Sequence, residues 1–512
     1  PGPGRGRRAR ILQRYAGERP GRETRGGYPV LYLSSRHDRP DGRERGCGVS
    51  GVWRYAVVIV CILALCPAGA ASGSVQALDL GTNVWVDGAP LTAPIHEDRE
   101  DPFPYAVNAS SEGVWVAYNH TPGDRRAFIC RDSATGEDYT INATCAAIGE
   151  HCYVFVEEGL PFARMGVADL MDAFDHVIHP VVTTTFGSGI GIDRDPRVYI
   201  VLLDIRDDSR YNSTSASIAG YFDGSTKNNI DLVFLDIDRR GAEMRSTLAH
   251  EYQHLIHHSL DAHERKWIDE GCSGYAELLC FDNQNQAKVR AYNRLPETPL
   301  VVTDNQWDRS DDEMTRAHYG ASFLWILYLA ENYGDRSGHP DHGSFLKDLV
   351  ANELPGMQGV TTTLAQHGFE ESFEDVFKRW TIANYLDMDG ADPPFGYASI
   401  NITRHPQRAG WVDLPAQNEL SYSFPRKELP PWSAAYYEVE ARDPDLVSYS
   451  NDRGFWMEKV VNRAGEAVIV VSPLEGRGAF VLTVSEVTGN RSAGTAASGL
   501  SPLTPPATLV AG

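Results

Sequence analysis

The chain is short of the features that mark membrane proteins and nucleic-acid-binding proteins. The apolar run at residues 55–66 has twelve residues, whereas a helix that spans a bilayer needs about 20. A basic surplus is also missing, because 47 Lys and Arg stand against 69 Asp and Glu, and the formal net charge is -22. Residues 1–50 hold twelve Arg against five acidic residues, so the rest of the chain is strongly acidic. This charge argues against nucleic-acid partners, and no internal repeat is visible.

Length and composition are those of an ordinary globular protein. The chain has 512 residues, of which 42% are hydrophobic and 23% are charged, enough for a sizeable core and more than one domain. Residues 1–50 differ from the rest, since they are rich in Arg and Gly and lack an apolar period. No methionine occurs in the sequence before Met165. We expect a disordered leader here, or translation upstream of a non-Met start near Val49 or Val52.

Residues 51–71 have the pattern of a secretory signal peptide. Arg54 precedes the apolar run, and Pro67 and the small residues AGAAS follow it. This order of basic, apolar and small-residue regions predicts export, with cleavage before Ala71 or Ser72. An N-terminal membrane anchor is the alternative, but the short apolar run favours cleavage, after which no stable membrane span is expected. The mature protein is therefore predicted to be secreted or extracellular at the cell surface.

Export in turn predicts glycosylation and disulfides. Six N-x-S/T sequons occur, at Asn108, Asn119, Asn142, Asn212, Asn401 and Asn490. Among the five cysteines after the signal, Cys130, Cys145 and Cys152 cluster, and we expect one pair among them to be oxidised. Cys272 and Cys280 are eight residues apart on a predicted helix, about 12 Å along its axis, which is too far for a disulfide.

The apolar pattern divides the remaining chain into three parts. Residues 72–150 alternate short strands with turns, which predicts a β-rich N-terminal region and a candidate propeptide. Residues 151–400 mix apolar strands at 197–204 and 230–237 with helices, which we place at 167–182, 241–258, 269–282, 317–333 and 372–387. Residues 411–487 return to a period of two and predict a C-terminal β domain of sandwich type, followed by a flexible tail at 488–512. The expected fold class is α+β.

The segment LAHEYQHLIHH at residues 248–258 carries the chemistry. His250 and His254 are four residues apart, so on a helix they lie on one face, where two imidazoles can bind one Zn²⁺. Glu251 lies next to a ligand and can act as general base on a metal-activated water. A surface helix whose polar stripe happens to carry histidines is the alternative. An apolar strand upstream, apolar residues around the helix and a carboxylate motif downstream favour the metal site.

The third ligand has several candidates. His258 extends the histidine stripe, but it lies about 12 Å along the helix from His250, which bonds near 2 Å to one zinc cannot span. The next predicted helix, WIDEGCSGYAELL, offers Glu270 and Glu277 on one face. Glu270 is preferred, and Glu277 is the reserve or a partner that orients a ligating histidine. Asp269 points about 100° away and is expected to cap the helix N-terminus.

Hydrolysis also needs a donor for the negative oxygen of the tetrahedral intermediate. His318 and Tyr319, at the start of the helix at 317–333, are the candidates. Tyr319 also fits an apolar stripe with Phe323 and Ile326, so a packing role is the alternative. The acidic group Asp204, Asp207 and Asp208 matches no calcium loop and is expected to be a solvated turn.

HEYQH followed by WIDEGCSGYAE resembles the gluzincin metallopeptidases, whose third ligand is the Glu of a W-x-x-E-G element. The order strand, GYF, strand and HExxH, then YGASFLWILYLAENYG, looks most like the hyicolysin-type neutral zinc peptidases. The resemblance covers roughly residues 150–400 and implies a zincin-like catalytic domain at 151–400, with His250, His254 and Glu270 as zinc ligands and Glu251 as base. Related proteins often have a carboxylate four residues after the third ligand, where this chain has Gly274.

The expected function is that of a secreted zinc-dependent endopeptidase that hydrolyses protein or peptide substrates with Glu251 as general base and no covalent intermediate. The alternative is a non-catalytic surface protein, in which a zincin-like scaffold serves adhesion or binding. The complete His-Glu-His set favours the enzyme, because a degenerate scaffold has no need of Glu251.

Overall fold

The computed structural model describes residues 119–160, 164–189, 195–207, 217–224, 227–334, 345–388, 395–402, 405–417 and 421–486, with a short antiparallel pair formed by β1 (Trp85–Val86) and β2 (Ala89–Pro90). The predicted leader, signal peptide and C-terminal tail lie outside these residues. No helix within them is long and apolar enough to cross a membrane.

A mixed sheet of six strands organises the first half of the described chain. Its order is β3-β4-β5-β6-β8-β7, with β3 at Arg125–Arg131, β4 at Asp138–Ile148, β5 at Cys152–Glu157, β6 at Val198–Leu203, β7 at Gly220–Phe222 and β8 at Leu232–Asp236. Strands β5, β6 and β8 are parallel, whereas β7 runs antiparallel to β8 at the edge. β6 and β8 are buried throughout, which explains their continuous apolar sequence.

The strands at 125–148 lie before the domain boundary predicted at residue 150. β4 pairs with β5, so these strands and those after residue 150 share one sheet. The described part of the predicted N-terminal region is β-rich, but it completes the sheet of the following region.

Helices cover one face of this sheet. They are α1 (Arg164–Ala173), which continues through a π-helical turn (Phe174–Ile178) into α2 (His179–Phe186), then α3 (Ala242–Leu260), α4 (Lys266–Phe281), α5 (Gln286–Arg294), α6 (Asp304–Asp308), α7 (Asp312–Asn332), α8 (Phe345–Val350), α9 (Met357–Gln366) and α10 (Phe373–Leu386). Their apolar faces form one core with the sheet, since Ile200 and Leu202 of β6 lie in the same cluster as Leu248 of α3 and Phe323 of α7. Tyr199 and Val201 of β6 point to a separate cluster on the opposite face.

The last part of the described chain is built of short strands in three sheets. The four-stranded sheet has the order β14-β15-β12-β9, the three-stranded sheet β10-β17-β13 and the two-stranded sheet β11-β16. Their bounds are β9 Gly410–Asp413, β10 Ser421–Ser423, β11 Lys427–Leu429, β12 Ala435–Glu440, β13 Val447–Asn451, β14 Trp456–Val461, β15 Ala467–Ser472, β16 Gly478–Phe480 and β17 Leu482–Glu486, with a short helix α11 at Leu414–Gln417. A common core between the sheets includes Ile469 and Val484.

Strand β15, in the interior of the four-stranded sheet, is buried on both faces. Val468 and Val470 of β15 point away from the core between the sheets and pack with Ile382 and Tyr385 of α10. Trp432 reinforces this junction, since its ring contacts the Phe373 and Phe377 rings of α10, each at a centroid distance of 5.2 Å. Apolar packing therefore joins the terminal β structure to the helical layer.

The expected disulfide among Cys130, Cys145 and Cys152 is wrong, because all five described cysteines are free. Cys130 and Cys145 lie opposite Tyr139 and Phe155 in the strand pairing, so the two thiols are not cross-strand neighbours. Cys152 points to the helix-covered face of the sheet, away from the other two.

Candidate metal centre

Helix α3 presents two histidines towards α4. It begins after Gly241, whose positive φ of 59° is a backbone conformation that glycine adopts at little cost. One helical turn separates His250 from His254, and their ring centroids are 4.8 Å apart with an interplanar angle of 80°. The two imidazoles therefore converge along one side of the helix, as their four-residue spacing dictates.

Helix α4 brings Glu270 to the same point. The Glu270 Oε2 atom lies 3.2 Å from His250 Nε2 and 3.5 Å from His254 Nε2. Ligand atoms of the three residues all lie within 4.8 Å of one another, and these residues are the one group in the described chain with such metal-binding geometry. In a tetrahedral site with bonds near 2 Å, neighbouring ligand atoms stand about 3.3 Å apart, so the spacing suits a metal ion.

The other nitrogen of each histidine meets a carboxylate. His250 Nδ1 is 2.9 Å from Glu277 Oε1, and His254 Nδ1 is 2.9 Å from Asp269 Oδ1. Glu277 thus contacts His250 on the side away from Glu270. The sequence left two roles open for Glu277, that of a ligand and that of a partner that orients a ligating histidine, and this contact is of the second kind. Asp269 was expected to cap the helix, but α4 begins at Lys266, so Asp269 lies within the first turn and contacts an imidazole instead.

These contacts decide which histidine atoms are available to a metal. Glu277 accepts a hydrogen bond from His250 Nδ1, and the charge of Asp269 beside His254 Nδ1 favours a proton there, so each Nε2 presents a lone pair towards Glu270. Burial alone would raise the pKa of Glu270, but the nearby imidazoles of His250 and His254 outweigh burial and hold that pKa well below its usual value. Its buried Oε2 atom has no hydrogen-bond partner of good geometry in the described residues. Three lone-pair donors that face one another in this way fit a shared cation.

Glu251 lies beside this group with its side chain almost fully buried. Burial raises its pKa, the neighbouring imidazoles of His250 and His254 lower it, and the charge of Glu270 raises it again. The backbone N–H of Phe222, in edge strand β7, donates a hydrogen bond to the Glu251 carboxylate. The net pKa is above the usual value for Glu, which makes this carboxylate a stronger base than an exposed one.

The two candidate oxyanion donors have different surroundings. The Tyr319 hydroxyl donates a hydrogen bond of 3.2 Å to Glu270 Oε1. His318 instead stacks on Trp307 with ring centroids 5.0 Å apart and forms a hydrogen bond with the backbone of Pro299. Burial lowers the pKa of His318 to about 4. The structure brings Tyr319 to the metal group and places His318 in the packing behind it.

Several contacting residues were missed by the sequence reasoning. Glu277 also accepts hydrogen bonds from Ser246 Oγ at 2.8 Å, from Asn283 Nδ2 at 2.5 Å and from Lys288 Nζ at 3.2 Å. Ser273 Oγ lies 3.1 Å from His254 Nδ1. Helical spacing could have found two of these residues, since Ser246 lies four residues before His250 and Ser273 lies three residues after Glu270.

The sequence singled out three other features: His258, Gly274 and the acidic group at Asp204, Asp207 and Asp208. His258 packs against the Phe222 ring, with centroids 5.2 Å apart, and is not among the converging ligand atoms. Gly274 faces α7, because a Cβ atom there would come within 3.3 Å of Phe323. The solvated acidic turn is wrong for Asp207, which is 3% exposed and accepts a hydrogen bond from the backbone N–H of Ile218, while Asp208 lies outside the described residues.

Comparison with known proteins adds one relative. No family model matches the chain. The sequence is 24% identical over 272 residues to the neutral metalloprotease ShpI of Staphylococcus hyicus, an alignment that covers 49% of this chain and 59% of the relative. The chain thus matches less than two thirds of that protein, and about half of the chain is similar to a metalloprotease.

Proposed function

We propose that the chain is a secreted, zinc-dependent endopeptidase of the gluzincin type, similar to the hyicolysin-type enzymes, with a zincin-like catalytic domain. The observation that carries the proposal is the convergence of His250, His254 and Glu270 beside the buried carboxylate of Glu251. Similarity to a neutral metalloprotease supports peptide bonds as the substrate. Export is proposed from the signal-peptide pattern of residues 51–71, which lie outside the described residues.

His250, His254 and Glu270 would hold the metal, and two imidazoles with one carboxylate are a donor set that suits Zn²⁺ with a position left for water or substrate. When bound, zinc supplies Lewis-acid chemistry, since it polarises a peptide carbonyl and acidifies water. Asp269 and Glu277 keep the proton on each Nδ1 and so keep each Nε2 aimed at the metal position.

Glu251 is the general base in this proposal. Its carboxylate takes a proton from the attacking water and delivers it to the departing amine. The raised pKa of Glu251 makes its carboxylate a stronger acceptor for the water proton in the first transfer. The hydrogen bond from the backbone of Phe222 orients the carboxylate beside edge strand β7.

Tyr319 is the proposed oxyanion donor. The negative charge of Glu270 raises the pKa of Tyr319 well above its usual value, and burial raises it further, so the phenol keeps its proton at neutral pH. Rotation of that O–H from Glu270 Oε1 towards the developing oxyanion would stabilise the transition state. A donor of this kind contributes about 10²- to 10³-fold to kcat. His318 takes no part in the proposal because it stacks on Trp307.

Two neutral variants test the proposal because they should fail differently. Glu251→Gln should retain zinc and lose nearly all turnover, since only the base is removed. Glu270→Ala should lose zinc and activity together, because a ligand oxygen is removed. Zinc content is measured by mass spectrometry and activity by the hydrolysis of casein. Glu243→Gln, which changes an exposed glutamate of α3, the helix of Glu251, is the matched control.

Two results would contradict the assignments. If Glu277→Ala loses zinc while Glu270→Ala stays fully loaded, the third ligand is Glu277. If wild-type protein holds zinc and cleaves nothing across a broad peptide library, the chain is a binding protein with a metal site rather than a peptidase.

A further inference from the structure

Lys288 of α5 reaches the metal centre from outside it. Helix α5 packs directly on α7 at Gly320, where an added Cβ atom would lie 2.2 Å from the carbonyl oxygen of Lys288. Only glycine permits this close approach of the two backbones. Because Gly320 directly follows Tyr319 in α7, this contact places the backbone of Lys288 close to Tyr319.

The Lys288 side chain makes two contacts from this position. Its Nζ atom lies 3.2 Å from Glu277 Oε1 and 5.1 Å from the centroid of the Tyr319 ring. The ammonium is thus held by a buried carboxylate and placed against an aromatic ring, where a cation is attracted to the π electrons. The side chain is 27% exposed, so this charge is partly removed from water.

Tyr319 is held on three sides. The Trp307 ring meets it edge-on with centroids 5.1 Å apart, its hydroxyl donates to Glu270 Oε1 at 3.2 Å, and the Lys288 ammonium completes the set. Of these three contacts, the one with Glu270 must break when the hydroxyl turns to an oxyanion. The contacts with Trp307 and Lys288 engage the ring and remain during that rotation.

We propose that Lys288 is a positioning residue for the reaction and acts through Tyr319. Its ammonium holds the phenol ring in place and, as a nearby cation, helps to stabilise the oxyanion to which the Tyr319 hydroxyl donates. The proposal rests on the role given to Tyr319 in the proposed function. It assigns a role in turnover to a lysine that contacts none of the three metal-binding residues.

A double-mutant cycle tests this route. Lys288→Met keeps much of the side-chain volume and removes the charge, and it should lower kcat about tenfold with little change in KM, in line with a partly desolvated cation–π contact. In a Tyr319→Phe background the same substitution should change kcat less than about twofold, because its target is already lost. Lys288→Arg should restore most of the loss. Arg290→Met, which removes an exposed charge from the same helix, is the matched control.

Zinc content is measured in parallel and should equal that of the wild type in each variant. Because Lys288→Met also removes the charge that faces Glu277, its melting temperature should fall, and rates are compared at a temperature where every variant is folded. As a readout apart from activity, 3-fluorotyrosine placed at position 319 in the full chain should show a ¹⁹F resonance that Lys288→Met shifts and Arg290→Met does not.

The outcomes separate this proposal from the proposed function. If Tyr319→Phe lowers kcat but Lys288→Met does not, only the role of Lys288 is overturned. Equal losses from Lys288→Met in both backgrounds, or loss of zinc, would mean that Lys288 acts through Glu277 and His250 instead. If both Lys288→Met and Lys288→Gln fail to fold, the residue is structural and the proposal is wrong. A wild type without peptidase activity, or a Tyr319→Phe variant with full activity, overturns the proposed role of Tyr319 and this inference with it.

Discussion

Gly320 offers a quantitative test of the contact between α5 and α7. An alanine Cβ at this position would lie 2.2 Å from the Lys288 carbonyl oxygen, 2.7 Å from the carbonyl carbon and 3.0 Å from Tyr292 Cβ. Real Cβ contacts essentially never fall below 3.0 Å, so the two backbones must separate by about 0.8 Å. The atoms in the way belong to a helix backbone, which cannot move aside as a flexible side chain would.

The energetic cost follows from this displacement. Overpacking of a close-packed interior costs about 1–3 kcal/mol, and the better helix propensity of alanine returns about 1 kcal/mol at most. Because the obstructing atoms are backbone, the cost lies near the upper end of this range, about 3 kcal/mol, and we expect Gly320→Ala to lower the free energy of unfolding by about 2 kcal/mol. Gly274→Ala is the matched control in α4, because its nearest obstacle is a side-chain atom of Phe323 at 3.3 Å. It should stay within about 1 kcal/mol of the wild type.

Urea unfolding of the full chain, followed by tryptophan fluorescence, measures both variants. Because Gly320→Ala also displaces Lys288, its activity should fall further than the activity of Gly274→Ala. If Gly320→Ala is as stable as the wild type, the two helices do not meet backbone to backbone, and the placement of Lys288 over Tyr319 loses its support.

Two further predictions concern the carboxylates behind the histidines. Asp269→Ala should weaken zinc binding about 10- to 100-fold, because His254 loses the partner that fixes its tautomer; competition with a chelator measures this, and an unchanged affinity would make Asp269 incidental. For Glu277, burial raises the pKa, but the charge of Lys288 and the hydrogen bond from His250 outweigh it and lower the pKa to about 2. Such a group stabilises the fold above about pH 4.5 and loses that effect as the pH falls towards 2, so at most about 3 kcal/mol of unfolding free energy should disappear in that window. Glu277→Gln should flatten this part of the pH profile in urea titrations, and an unchanged slope would contradict the assignment.

The long helices were predictable from the sequence because their apolar residues repeat with the helical period. The helix predicted at 241–258 is observed at Ala242–Leu260, and the one predicted at 372–387 at Phe373–Leu386. Helices α5, α6, α8 and α9 were not predicted, since five to ten residues give too short a period to recognise. The zincin-like class of the fold stays a prediction.

Local rules also explain what the sequence could not supply at the site. The i, i+4 spacing brings His250 and His254 together within one helix, so that pair was visible. Asp269 was taken for a cap because a carboxylate near a helix start usually serves there, but a tertiary contact with His254 uses it instead. Lys288 comes from another helix, and its contact with Glu277 depends on packing that no short motif encodes.

The burial of β15 on both faces has a consequence for the order of events during synthesis. The ribosome completes the metal-binding residues and Tyr319 long before Trp432, Val468 and Val470, which cover the apolar side of α10. Until those residues emerge, α10 keeps an uncovered apolar side, and the helical layer around the centre is incomplete. A ribosome-bound chain that ends before β15 should therefore bind chaperones and be cleaved readily by an added protease. The chain therefore gains its full structure, including the layer around the candidate metal centre, only after its last strands are made.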